Sequence, residues 1–334
     1  MLIYGTAIDG LQMGLCFAVL ALGVYISYSI LDFSDLSTDG TFPLGGVFCT
    51  ILMLRLGISP VLAVFLSFFA GMAAGAVTGT LHVRFGISKL LSGIIVMTGL
   101  MSVTLALTCL LSEQGYPTTI FSYRSQNLEG LFGGALSGIF GPDGKDYAIL
   151  LILLVIVVVL KLLLDLFFRT RLGYMLKATG DNEQLVTSLG KNAGMYKILG
   201  VSIANGFCAV SGALYSQLYM QYDNTSGSGK VVTALASVII GLALFSGIRR
   251  MKGTTSVIIG AVIYSLCLNF LALLDKNGIF LKLMNAVMFA LILIFHGKIK
   301  SLISGRRHRR GDTDKVVIKA EETGYEYGDE ARGQ

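Results

Sequence analysis

Solid apolar runs limit what this chain can fold into more than any other feature. Residues 11–31 hold no charged side chain, nor do 59–81, 198–219 and 253–274, and 87–111 carries only Lys89 near its start. A helix rises about 1.5 Å per residue, so about 20 apolar residues cross a hydrocarbon core of about 30 Å. Residues 146–168 add an uninterrupted apolar stretch from Tyr147 to Leu160, followed by Lys161 and Asp165, and residues 279–297 carry only Lys282. Two shorter runs, 44–57 and 231–247, each follow a stretch rich in Ser, Thr and Gly. The runs do not alternate in polarity, which argues against a strand barrel. The reading is an all-α polytopic membrane protein of eight or nine transmembrane helices, some of them short or broken.

Charge placement separates a body from a tail. Of the 46 charged residues, 14 fall in residues 305–334, leaving about one in ten in residues 1–304. So few charges cannot cover the surface of a soluble domain. A water-soluble enzyme and a nucleic-acid binder are therefore set aside despite the net charge of +6. Residues 1–304 read as a transmembrane domain and 305–334 as a disordered, charged tail that cannot bury enough apolar surface to order itself. The basic start of the tail, Arg306, Arg307, Arg309 and Arg310, suits anionic lipid headgroups. Cys16, Cys49, Cys109, Cys208 and Cys267 lie in apolar runs without paired spacing, and His82, His296 and His308 are scattered, so neither a disulfide framework nor a metal or other cofactor is read.

Basic residues cluster in 169–197, in 249–252 and after the last span, and two spans separate each cluster from the next. All three share one face, taken as cytoplasmic along with the tail. Nine spans put the N-terminus outside; if 44–57 only dips into the membrane, the N-terminus is inside.

Within 169–197, Asp181 suits a helix N-cap with Gln184 three residues on, and Gly190 suits a stop. The spacing predicts a two-turn helix over 182–189 lying across the cytoplasmic face. Its apolar ridge, Leu185, Val186 and Leu189, would seat in a partner's groove or rest on the bilayer.

A second informative stretch holds Asp32, Asp35 and Asp39 with Ser34, Ser37, Thr38, Gly40, Thr41 and Pro43, between two apolar runs. A comparable one, 222–230, holds Asp223, Asn224, Thr225 and Ser226. By the topology above they enter the membrane from opposite sides, as inverted repeats with broken helices do. Such residues also mark ordinary turns. In the functional reading, Asp35, Ser37, Thr38, Asp39, Thr41, Asp223, Thr225 and Ser226 lie along a translocation pathway, offering weak, exchangeable contacts. Asn205, mid-span in 198–219, either joins them or bonds a neighbouring helix. Gly71, Gly75 and Gly79 repeat every fourth residue and mark a close helix–helix contact, within the chain or between subunits. Gly227-Ser228-Gly229-Lys230 only imitates a phosphate loop, because Asn224 and Val231 occupy places that require Gly and Ser or Thr.

The runs Ala178-Thr179-Gly180-Asp181-Asn182, Leu189-Gly190, Lys197-Ile198-Leu199-Gly200 and Ser211-Gly212-Ala213-Leu214, with Ile30 to Ser37 and Asp39 to Gly45, carry a resemblance. Over about residues 10–300 the chain resembles the membrane permeases of ABC importers, specifically the branched-chain amino acid and ribose permease family. Within it, the chain is most similar to a short subgroup linked to aromatic amino acids, tryptophan or tyrosine. It departs from the pattern at Lys191-Asn192-Ala193-Gly194. The resemblance implies a permease subunit without enzymatic activity of its own, working as a homodimer with two ATPase subunits and an extracytoplasmic binding protein or lipoprotein in a bacterial-type plasma membrane. It makes about 181–189 the coupling helix, with Gly180, Asp181, Asn182, Glu183, Gln184, Leu185, Val186, Leu189 and Gly190 as ATPase contacts. The solute would be small and polar, an aromatic or branched-chain amino acid. The rival is an ion-coupled secondary transporter using Asp32, Asp35, Asp39 and Asp223. An intramembrane enzyme ranks last, because no nucleophile–base pair or HExxH motif is seen.

Overall fold

The computed structural model describes residues 2–112, 120–122, 145–245, 251–273, 280 and 282–294. The tail 305–334, most of the loop 112–145 and the arginines at 249 and 250 lie outside the described residues. The long helices are α1 (Leu2–Val24), α3 (Pro60–Phe85), α4 (Lys89–Thr108), α5 (Lys145–Phe167), α8 (Ala193–Tyr219), α9 (Lys230–Phe245) and α10 (Gly253–Ala272). Among the described residues, seven spans are long and apolar enough to cross a membrane, and two shorter apolar helices, α2 (Thr38–Leu54) and α11 (Lys282–Ile294), accompany them. The chain is a multi-pass, all-α membrane protein. Its strands among the described residues, β1 (Ile120–Ser122) and β2 (Gln221–Asp223), form one short antiparallel pair.

Residues up to Phe289 form one compact unit. Its centre is α8 and α1: 78% of the most apolar stretch of α8 is buried, against 22% for α4 and for α5. The outer helices present Leu, Val and Phe outward, as lipid contact requires. Two connecting helices, α6 (Arg171–Asp181) and α7 (Glu183–Ser188), lie at one end, here called the basic end. The strand pair lies at the other.

Direction along the bundle follows from contacts. A single turn of π-helix, Tyr25–Ile30, extends α1, and Gly180 of α6 packs against the Ile30 carbonyl, so α1 finishes at the basic end. Gln12, in the half of α1 and its extension farther from Ile30, donates to the Asp146 carbonyl at the head of α5. The N-terminus therefore lies at the end opposite α6 and α7, as the nine-span alternative requires. Helix α8 starts at the basic end and runs the other way.

Two triplets thus recur in opposite directions: α1, α2, α3 and α8, α9, α10. The first helix of each packs on the third of the other, α8 on α3 and α1 on α10. Glycines make both contacts close. A Cβ at Gly75 would lie 2.5 Å from the Val201 carbonyl and one at Gly79 2.8 Å from the Ile198 Cα; one at Gly71 would collide with the Asn205 carbonyl. On the other side, a Cβ at Gly14 would come within 3.0 Å of the Val262 Cα. Gly71, Gly75 and Gly79 lie against α8 of the same chain. Backbones this close gain dispersion contacts that substitute for the hydrophobic drive lipid does not provide.

Candidate functional site

Both short helices begin inside the bundle. Asp32 turns the chain at the basic end with a φ of +50°, a conformation Asp tolerates better than most residues. Lys89 steadies it, with Nζ 2.5 Å from the Asp32 carbonyl and 3.6 Å from its carboxylate. The chain then climbs, and α2 starts beside Asn205, halfway along α8. From the far end, β2 and a 3-10 turn, Asn224–Gly227, descend to the start of α9. The two helix starts meet through Asp39: its Oδ2 accepts from Gly229 N at 3.0 Å and its Oδ1 from Val231 N at 2.8 Å. Pro43 has no N–H to give the Asp39 carbonyl, and Gly227 packs against that carbonyl and the proline ring, where any side chain would collide.

Beside this junction lies a buried polar seam. Asn205 Nδ2 donates to Asp35 Oδ2 at 2.7 Å and to the Val201 carbonyl at 3.1 Å. Asn205 Oδ1 accepts from Thr41 at 2.7 Å and Ser37 at 3.2 Å. Asp35 Oδ1 accepts from Ser37 N at 2.8 Å, a local cap at the start of α2. Asp223 does the same for the turn before α9, accepting from Thr225 N and Oγ1, both at 2.8 Å. The structure brings Asp35, Ser37, Thr41 and Asn205 together. Ser37, Thr38, Thr41 and Asn205 are fully buried; Ser37, Thr41 and Asn205 bond one another and Thr38 donates to the Asp35 carbonyl at 3.4 Å, so in this conformation they do not line an open route. Thr225 is exposed and Ser226 half-buried, its hydroxyl donating to the Asp223 carbonyl.

One participant escapes the sequence reasoning. Lys230, first residue of α9, holds its ammonium 4.2 Å from the ring centre of Phe17, 5.3 Å from Tyr215 and 5.7 Å from Phe42. The signal for it in the sequence is a lysine opening an apolar run. Nearby, Asn224 Oδ1 accepts from Thr104 at 2.6 Å and from Tyr222 at 3.0 Å, tying the turn to α4.

At the basic end the local chemistry differs in detail from the sequence expectation. Helix α7 is Glu183–Ser188, and its cap is Asn182, whose side chain accepts from Leu185 N at 3.1 Å; Asp181 instead ends α6. Asn182 wins because its extended backbone, φ −156°, sits between the two helices where a cap must. The apolar ridge is split: Val186 is fully buried, while Leu185 and Leu189 are 52% and 61% exposed. Asp181, Asn182, Glu183, Gln184 and Gly190 are exposed with them. Lys197 Nζ holds Glu183 at 2.6 Å, and Gly190 turns the chain with a φ of +70°. Behind α6, Asp165 binds Lys252 at 2.9 Å and Thr254 at 2.7 Å, with Lys161 at 3.5 Å. Lys161, four residues before Asp165 on the same helix, reaches its carboxylate, but Lys252 from another element is closer.

The arrangement comprises an exposed two-helix hook at one end and, through Gly180, Ile30 and the 31–37 segment, a packed connection to the junction of two half-length helices. Among the described residues no three His, Cys, Asp or Glu side chains converge to hold a metal. A comparison with known proteins matches residues 6–296 to the family described as branched-chain amino acid transport system / permease component. The chain is 40% identical over 286 residues to a tyrosine transport system permease protein of Clostridioides difficile, covering 86% of this chain and 90% of that protein. It is 25% identical over 282 residues to the ribose import permease protein of Escherichia coli K12, covering 84% and 82%. To an autoinducer 2 import system permease protein of Salmonella choleraesuis it is 25% identical over 152 residues, covering 43% and 41%. No solved structure matches.

Proposed function

The chain belongs to the family of branched-chain amino acid transport system permease components, and from that premise we propose that it is the membrane subunit of an ATP-driven importer for a small amino acid, aromatic or branched-chain. Two copies enclose the pathway at a two-fold axis. Each offers the α6–α7 hook to one cytoplasmic ATPase, and a binding protein or lipoprotein delivers cargo at the opposite end. The C-terminal tail is cytoplasmic, in a bacterial-type plasma membrane.

The observation that carries this reading is the division of labour on α7. Val186 anchors it to the body while Leu185 and Leu189 are free for a partner. ATP-driven closure of the ATPase pair would push the hook. Gly180 would pass that push to the end of α1, and the 31–37 segment would pass it to the paired starts of α2 and α9, a rigid-body motion about a fixed centre. The rival ion-coupled reading is weakened by the carboxylates' partners: Asp35 serves Asn205 and Ser37, and Asp39 serves Gly229 and Val231. The test is co-purification of the ATPase with a chain lacking residues 181–189. The ATPase is expected to be lost while the permease still inserts; an intact complex would overturn the assignment.

A further inference from the structure

Lys230 is placed where neither helix stability nor lipid would put a cation. It is the first residue of α9, so its charge opposes the positive end of that helix's dipole. It sits within the bundle, where an ionised side chain is costly and marks function by default. Among the described residues its ammonium donates to no oxygen; its neighbours are ring faces. Asp39, whose carboxylate bonds the backbone on either side of Lys230, has both oxygens engaged by Gly229 N and Val231 N.

The rings form a continuous cluster. Phe17 stacks on Tyr215 with centroids 6.0 Å apart and planes 12° from parallel, Phe42 closes the group at 5.5 Å from Tyr215, and Tyr219 continues it at 4.7 Å. Phe17 and Phe42 are buried, Tyr215 and Lys230 half-buried, and Tyr219 exposed. The cluster therefore deepens from Tyr219, at the end of α8 where cargo would be delivered, to Lys230 at the helix junction. Asp223, across the 3-10 turn from Lys230, is half-buried.

We propose that Lys230 and this ring cluster form a station for a solute bearing a carboxylate and an aromatic or broad apolar side chain. The carboxylate takes the free ammonium, the side chain stacks along Tyr219, Tyr215 and Phe17, and a solute ammonium faces Asp223. The ring faces hold the Lys230 ammonium without fixing it to an anion of the protein, so the contact exchanges with a passing carboxylate. This rests on the reading of the chain as an amino acid permease and adds where and how the cargo is recognised.

The test uses the full importer, permease with ATPase and binding protein, in proteoliposomes, with L-tyrosine as the probe. Import per ATP hydrolysed is measured for wild type, Lys230→Met and Lys230→Arg. The Met variant keeps volume and loses charge; it is expected to assemble and hydrolyse ATP as wild type does, with import per ATP lowered about tenfold, the scale of one lost charge-assisted contact. Arg keeps the cation and the ring contacts and restores at least half. In parallel, saturation-transfer NMR on the permease–ATPase complex in nanodiscs is expected to detect L-tyrosine and not tyramine, which has the same ring without the carboxylate, and to lose the tyrosine signal in the Met variant. Wild-type import per ATP in Lys230→Met, or equal signals from tyrosine and tyramine, overturns the station. Failure of the Met variant to assemble, with tyrosine and tyramine binding wild type equally, assigns Lys230 to packing alone and also overturns it. A wild-type importer that neither hydrolyses ATP nor moves tyrosine would instead sink the permease reading itself.

Discussion

Asn205 ties α8 to the start of α2: its amide nitrogen donates to Asp35 at 2.7 Å, as well as to the Val201 carbonyl of its own helix at 3.1 Å, and its oxygen accepts from Thr41 at 2.7 Å. A side chain from the middle of the most buried helix thereby fixes where α2 begins. Replacing Asn205 with Leu strands Oδ2 of Asp35 and the Ser37 hydroxyl, while the Thr41 hydroxyl falls back on the Ser37 carbonyl at 3.0 Å and Asp35 Oδ1 keeps Ser37 N. Leaving buried polar groups unpaired costs about 1–3 kcal/mol each. Asn205→Leu is therefore expected to lower the unfolding temperature of the purified permease well below that of Asn205→Gln, which keeps both functions. Equal melting of the two in the same detergent would refute the seam's structural role.

The glycine stripe predicts an asymmetry between positions that look alike in sequence. Gly75→Leu forces α3 off α8, since even a Cβ would lie 2.8 Å from the Ser202 Cα. Gly99, on α4, has nothing within 4 Å of its virtual Cβ. Gly99→Ala gains helix propensity of about 0.5–1 kcal/mol. Expression and melting of the two variants check this: Gly75→Leu is expected to be lost as monodisperse protein and Gly99→Ala to melt at or above wild type.

On α7 the prediction separates folding from partner binding. Val186→Asp places a charge in a fully buried position and is expected to destabilise the permease itself. Leu185→Asp with Leu189→Asp changes only exposed residues; the permease is expected to melt normally and to lose its ATPase on a pull-down. Capping separates Asn182→Ala from Asp181→Ala in the same way: the first removes the bond to Leu185 N, worth about 1 kcal/mol, and the second removes none. Proteolysis at the hook, faster in Asn182→Ala alone, is the readout.

The long helices were legible because each run of apolar residues had to cross the same thickness, and the repeat was legible because Asp35 and Asp223 are each followed by the same small hydroxyl residues. What escaped the sequence is what depends on pairing in space. Nothing along the chain says that Asn205 meets Asp35 or that Lys252, 87 residues on, outcompetes Lys161 for Asp165. The cap moved from Asp181 to Asn182 because α6 runs to its last turn before the chain extends, and both residues are acceptable caps by type. The place of Lys230 is hidden along the chain for a related reason: it comes from Phe17, Phe42 and Tyr215, three rings contributed by three other helices.

Asp39 supplies the sharpest test of the central junction. Its carboxylate is the one side chain among the described residues that holds the first N–H groups of α9 from the first turn of α2. Asp39→Ala frees both N–H groups, so α9 can shift relative to α2 without the hook moving. The expected result is an importer that assembles and hydrolyses ATP but imports little, with import per ATP down about tenfold on the scale of two lost charge-assisted bonds. Asp39→Asn keeps an acceptor for one N–H and is expected to fall between. Labelling supplies the structural readout: Ser228, exposed beside the junction, changed to Cys is expected to react faster with an impermeant maleimide in the Asp39→Ala background, after subtracting the parent's exposed Cys267. Unchanged labelling together with unchanged import per ATP would mean that the two half-length helices do not need each other, and that force from the hook reaches the pathway by another route.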